Sequence, residues 1–442
     1  LKFGTHSTIF FIFTPPETFN LKLSFKGLGM KSVDILIKKA NEVLTVVGPK
    51  RARKGKEMSR LGVIKNGCIA IDEGKIVYVG KNSSGYQADE VIDAKGKIVL
   101  PGFVDPHTHL VFSGYRDFEL DLKLKGYSYH DISEMGGGIN YTVRLTRKAS
   151  KERLFEEASE RIESMLIHGT TTCEAKSGYG LSLKDEIKIL EVNRELNRKR
   201  PIDIISTFLG AHAVPEEYRE KKDEYVKLIT DEMIPKVAER GLAKFCDVFC
   251  ERGYFDKEES KKILVTGKKY GMIPKIHADE FSSCGGAELA CEIGAISADH
   301  LLKVSDRGVE MLAKSDTISI LLPATVFSLM GKEFAPARKL IDSGAAVALG
   351  TDLNPNCYTE NMQFVMQLAC FYMKKKIEEV IVASTINAAY SVGVGDKVGS
   401  IEKGKNADIL IMDVPSYTFI PYHFGVNLVE TVIKSGKIVW ER

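Results

Sequence analysis

A chain of 442 residues is too long for one small domain and allows a barrel with an accessory unit. Apolar residues make up 44% and charged residues 27%, the balance of an ordinary globular protein. A formal net charge of +3 supplies no strong basic field, which speaks against nucleic acid or an anionic membrane as partner.

Residues 1–29 look foreign to the rest of the chain. Thr8 to Phe13 is apolar but too short to span a bilayer, and Pro15-Pro16 comes next, so no membrane span is expected. No Ala-x-Ala cleavage pattern is evident. The sequence suggests a natural start at Met30, with residues 1–29 a non-native or disordered extension.

From Met30 to about Leu100 short strands alternate with turns: 34–37, 42–47, 68–71 and 75–79, punctuated by Gly, Asn and Asp. The basic run Lys50–Lys56 reads as a solvated loop between them. The β pattern resumes at 407–412 and 429–434, and Gly436-Lys437-Ile438-Val439-Trp440 echoes Gly74-Lys75-Ile76-Val77-Tyr78. Residues 30–98 and 400–442 are therefore expected to build one composite β-sandwich, with 99–399 inserted between them.

The insert alternates strand and helix. Strands are predicted at 102–107, 170–175, 203–211, 244–250, 273–277, 295–299, 317–322 and 346–351. Helices are predicted at 151–167, 185–199, 222–240, 256–270, 285–293, 305–314, 335–343 and 360–375, with Asp256 and Ser305 suited to cap two of them. Eight apolar strands, each followed by a helix, indicate an α/β fold of the (β/α)8 barrel type. A doubly wound open sheet is the runner-up, but no Gly-x-Gly-x-x-Gly follows the first strand. The eight cysteines include no Cys-x-x-Cys pair and read as reduced thiols of a cytoplasmic protein.

In such barrels the chemistry gathers at the C-terminal ends of the strands. His107 and His109 close the first strand, His212 the third, His277 the fifth and His300 the sixth, while Asp352 follows the eighth. Spacing of i and i+2 turns His107 and His109 to one side. With His277 and Asp352 they form a borderline set suited to one zinc or iron ion, which lowers the pKa of bound water to roughly 7. Glu280, just past His277, and His300 are placed to carry a proton or to orient a neighbour. Lys176 sits on the second strand and reads as structural or substrate-facing.

These motifs resemble the amidohydrolase superfamily, and within it the imidazolonepropionase family. The resemblance rests on Pro101–His109, Asp105–Arg116, Gly136–Ile139, Glu174–Gly180, Thr207–Pro215, Asp247–Glu251, Ile276–Asp279, Ser297–His300 and Thr351–Pro355, and spans roughly Val33 to Val439. It implies hydrolysis of the ring amide of 4-imidazolone-5-propanoate to N-formimidoyl-L-glutamate in histidine degradation, with a metal-activated water as nucleophile. It implies His107, His109, His277 and Asp352 as metal ligands. It implies Arg116, Tyr179, His212, Glu280, Asn354, Asn356 and Cys357 as substrate contacts, although Asn356-Cys357 departs from the family's usual Gly followed by Ser or Thr. Arg116 suits the substrate carboxylate, His212 a developing oxyanion, and Glu280, His300 or Asp352 the proton transfers. The partner is thus a small molecule, and the family is usually homodimeric. Two alternatives are deamination of a purine-like ring on the same metal site, and a metal-binding scaffold without catalysis.

Overall fold

The computed structural model describes residues 30–442. The expectation for residues 1–29 lies outside the described residues. No helix among the described residues is long and apolar enough to cross a membrane.

Eight parallel strands, in chain order around the ring, form the barrel. They are β1 (Phe103–Asp105), β2 (Thr170–Lys176), β3 (Asp203–Ala211), β4 (Phe245–Cys250), β5 (Ile273–Ala278), β6 (Ser297–His300), β7 (Ile318–Leu321) and β8 (Val347–Leu349). Every one falls on a predicted strand. The helices also match, down to the caps: the side chains of Asp256 and Ser305 accept the Glu259 and Gly308 N–H groups. The predicted helix 222–240 forms, but with a π segment at Ile229–Met233.

Side chains alternate between the two faces of each strand. Cys173, Ala175, Cys246, Val248, Ile276 and Ala298 pack in the core that includes the surrounding helices. The alternate positions Glu174, Lys176, Asp247, Lys275, His277 and Asp299 are also buried, and most are joined by hydrogen bonds or ion pairs. The barrel interior is therefore polar near its C-terminal end. At the other end Val104, Phe245, Ile318 and Ile320 fill it in a separate apolar cluster.

Closure occurs above the strands. β1 and β8 meet through a parallel bridge between Thr108 and Leu353. The Asp352 N–H donates to His107 O at 3.0 Å and the His109 N–H to Leu353 O at 2.8 Å. The Asp105 carboxylate completes the seam, accepting the Thr351 N–H at 3.0 Å and its hydroxyl at 2.5 Å.

The terminal segments form one continuous mixed sheet of eight strands. Lys31–Leu44 is a single strand with an irregularity between Ile37 and Ala40, where Lys39 has φ of +59°. Its first half pairs with Tyr86–Asp93 and its second with Ile98–Pro101. Isoleucines 35, 37, 69 and 71 share one core with Ile409, Ile411 and Ile433 from the C-terminal strands. Both chain ends thus contribute to one connected sheet. The basic run 50–56 is not wholly solvated: Arg53 is buried and donates to the carbonyls of Val46, Pro49 and Arg51.

Three helices between β1 and the helix Lys151–Ile167 are absent from the sequence reading. They are Phe118–Leu124, Tyr129–Glu134 and Gly138–Lys148. Ser128 and Asp131 form a capping box that marks the second of them in the sequence. They lie beside the mouth of the barrel and supply Tyr129 and Ile139 to its walls.

Candidate active site and metal centre

The C-terminal mouth holds a cavity lined by His109, His277, His300 and Asp352 together with Arg116, Tyr129, Tyr179 and Asn356. One ring nitrogen each of His107, His109 and His277 lie within 4.8 Å of one another, as do atoms of His107, His300 and Asp352. Asp352 Oδ1 is 3.4 Å from His107 Nε2 and 3.7 Å from His109 Nε2. The four expected ligands and His300 therefore share one place.

The ligands are held from behind. His107 Nδ1 contacts Asp299 Oδ2 at 2.6 Å, which keeps the proton on that nitrogen and leaves Nε2 with its lone pair toward the cluster. His277 Nδ1 lies 3.1 Å from Asp247 Oδ2. Between these carboxylates sits Lys176, whose ammonium is 2.6 Å from Asp247, 3.0 Å from Glu174 and 3.4 Å from Asp299. Burial alone would lower its pKa, but the three carboxylates overcome this and hold it above its ordinary value. Lys176 is thus structural, and a substrate-facing role is corrected: every donor distance points into the wall. On the last strand's end the Thr325 hydroxyl donates to Asp352 Oδ2 at 2.6 Å, fixing the carboxylate's direction. Asp279, His300, Leu301 and Asp352 all have positive φ, so backbone strain gathers where β5, β6 and β8 end.

His107 Nε2, His109 Nδ1 and His277 Nε2 are buried without a hydrogen-bond partner among the described residues. A buried polar group left unmade costs about 1–3 kcal/mol. Burial also pushes the His107 and His109 imidazoles well below their ordinary pKa, so they are neutral donors of lone pairs. Converging neutral imidazoles beside a carboxylate fit a metal ion.

His212 Nδ1 contacts Gly178 O at 3.0 Å, and its ring stacks on His109 at 4.7 Å. A carbonyl only accepts, so Nδ1 carries the hydrogen. Burial pushes the His212 pKa down to about 3, so the ring is neutral and Nε2 offers only a lone pair. With Nδ1 bonded to Gly178 O, Nε2 presents its lone pair, an arrangement suited to accepting an N–H. Gly178 permits this contact: its φ is +103°, and a Cβ there would meet His212 Nδ1 at 3.0 Å. The adjoining Tyr179 loop is clamped by Glu186, which accepts the N–H groups of Gly178, Gly180 and Leu181.

Arg116 is 4% exposed, and its Nε and Nη1 have no hydrogen-bond partner among the described residues; Glu119 is 3.7 Å from Nε. Glu280 faces the cavity with Oε1 3.5 Å from His300 Nδ1. Burial, then the nearby Asp352 and Glu251 carboxylates, push its pKa well above the usual carboxylate range. In the loop after β8, Asn354 and Asn356 line the cavity and Cys357 does not. Asn354 spends its carbonyl on the Asn356 and Cys357 N–H groups and donates to Asp352 O, so it builds the turn. The Asn356 carbonyl is taken by Lys123 at 2.6 Å. Cys357 is buried with its thiol toward Thr351 O, and the structure does not bring it to the cavity. Asp247, Asp299 and Thr325 had no assigned task from sequence; the two aspartates occupy the polar phase of barrel strands, which was the available signal.

Residues 260–439 and, separately, residues 90–148 match amidohydrolase family descriptions. Among solved structures, an adenosine deaminase from Xanthomonas campestris with bound zinc superposes with a TM-score of 0.69 at 17% identity, covering 92% of this chain and 93% of that one. Guanine deaminase from E. coli gives 0.66 at 16%, covering 92% and 99%. At such identities these share the fold alone. Sequence relatives are far nearer. The imidazolonepropionase of Geobacillus kaustophilus (strain HTA426) is 51% identical over 414 residues, 92% of this chain and 97% of its own. That of Clostridium tetani (strain Massachusetts / E88) is 48% identical over 419 residues, 93% of this chain and 100% of its own. Identity near one half, sustained from end to end of those relatives, leaves one conclusion: the chain belongs to the imidazolonepropionase family of the amidohydrolases.

Proposed function

We propose that this chain hydrolyses the ring amide of 4-imidazolone-5-propanoate to N-formimidoyl-L-glutamate, a step of histidine degradation. The observation that carries the reading is Arg116, a buried guanidinium with unpaired donors in the same cavity as the imidazole–carboxylate cluster. It calls for a small substrate with a carboxylate at a fixed distance from the hydrolysed bond. A purine has no such group, so deamination of a purine-like ring leaves Arg116 without a task.

His107, His109, His277 and Asp352 would hold one zinc or iron ion. Such an ion, when bound, polarises the ring carbonyl and acidifies water. Arg116 receives the carboxylate tail through charge-assisted hydrogen bonds. His212 accepts a ring N–H at Nε2, and the Tyr179 hydroxyl bounds the ring from the same side. Glu280, whose pKa burial and the nearby carboxylates raise above the usual carboxylate range, passes a proton between water and the departing ring nitrogen with His300 beside it. Water adds to the carbonyl carbon, the C–N bond to the ring nitrogen breaks, and that nitrogen leaves protonated. The same reading has the chain act in the cytoplasm as a homodimer. The exposed ring pair Phe371 and Phe424, 5.9 Å apart, and the free state of all eight cysteines support it.

The test is turnover of freshly generated 4-imidazolone-5-propanoate by purified, metal-analysed protein, followed by loss of ring absorbance and formation of formimidoylglutamate. Conversion that a chelator abolishes and metal restores is the expected result; none by folded, metal-loaded protein sinks the proposal. Arg116→Ala is expected to raise KM by about tenfold to a hundredfold with a smaller change in kcat, as lost charge-assisted hydrogen bonds do. Steady-state kinetics with unchanged KM would remove Arg116 from the site.

A further inference from the structure

Lys123 is 8% exposed, on the helix Phe118–Leu124 that the first loop lays beside the mouth. Its ammonium donates to Asn356 Oδ1 at 2.6 Å and to Ser328 O at 3.3 Å. Ser328 ends the helix Pro323–Ser328 that also carries Thr325, the residue bonded to Asp352. One buried side chain thus ties three segments of the mouth: the first-loop helix, the helix after β7 and the loop after β8.

The bond also settles which way Asn356 faces. An ammonium has donors and no acceptor, so the amide oxygen must meet Lys123 and the amide nitrogen must turn away. That nitrogen has no partner among the described residues, while Asn356 lines the cavity together with Arg116. The result is an amide with its oxygen occupied and its N–H pair available, on a residue that lines the same cavity as Arg116.

We propose that Lys123 is a positioning residue for substrate: it locks the Asn356 amide so that its N–H groups, with Arg116, receive the substrate carboxylate. This rests on the proposed function and extends it to a residue that does not itself touch substrate. Lys123→Met keeps the length and apolar stem and removes the donor. It frees Asn356 to flip or turn, so the carboxylate loses one oriented donor.

The experiment measures KM and kcat for imidazolonepropanoate, and Kd for 3-(imidazol-4-yl)propanoate and its primary amide. The proteins are the parent, Lys123→Met, Asn356→Ala and the double variant, with thermal melts of each. Expected are a KM and a carboxylate Kd about tenfold higher for either single variant. The kcat should stay within about twofold, amide binding should be little changed, and the double variant should be no worse than Asn356→Ala alone. Lys123→Gln, which restores a neutral donor, should recover part of the loss. Additive losses in the double variant, equal losses for acid and amide, or an unchanged KM each overturn the assignment, including when Lys123→Met melts early. A parent protein inactive on imidazolonepropanoate overturns the functional reading itself, whereas an active parent with an indifferent Lys123→Met overturns only this inference.

Discussion

Replacing His277 by alanine should strip the protein of metal and lower kcat/KM by more than about a hundredfold, because even residues that merely support metal ligands are worth about 10–100-fold. The geometry makes this position the most telling. His277 belongs to the buried triad with His107 and His109, and Nε2 has no partner among the described residues. Its register in the barrel sets it level with Asp299 on β6 and Phe249 on β4. Metal content by atomic absorption, read alongside turnover, is the measurement. Full metal with retained activity would refute the ligand assignment. Loss of metal with retained activity would refute the metal's part in the chemistry.

The second large effect concerns stability. Lys176→Met should lower the melting temperature by about 10 °C and weaken metal binding by about 10–100-fold. The ammonium is the positive charge shared by Glu174, Asp247 and Asp299. Lys275 lies 3.2 Å from Glu174 and compensates only that carboxylate. Removing Lys176 leaves buried anions unmatched, and breaking a buried ion pair from one side typically costs about 3–5 kcal/mol. It also releases the carboxylates behind His107 and His277. Calorimetry and metal titration of the same sample test both parts. A variant with the parent's melting point and metal affinity would show that the network carries neither load.

Much of this was legible in the chain because barrel strands are short apolar runs with sharp ends. The histidines 107, 109, 212, 277 and 300 stood out by sitting at those ends. What stayed hidden has physical reasons. Asp299 supports His107 from 192 residues away, and no local pattern announces a partner across the ring. Glu174, Lys176 and Lys275 balance one another's charge inside the barrel, an arrangement no single strand's sequence displays. Of the first-loop helices, Phe118–Leu124 and Tyr129–Glu134 are only seven and six residues long, too few for a helical apolar period to emerge, whereas Gly138–Lys148 buries Ile139, Thr142, Val143 and Thr146 and did carry that signal. Lys38-Lys39 read as a gap between two strands because a bulge and a break share the same polar signature. The tasks of Asn354 and Asn356 depended on partners that only the folded loop supplies.

The seam between β1 and β8 gives the site a further meaning. Elsewhere the ring is sewn by ladders of several paired residues, but here a single bridge, two backbone contacts and the Asp105 latch make the join. His107 and His109 lie on one lip of that join and Asp352 on the other. The residues placed to do the chemistry are thus also the clasp by which the two ends of the barrel's chain are fastened. A substitution on either lip alters the tension of the whole hoop as well as the reaction inside it.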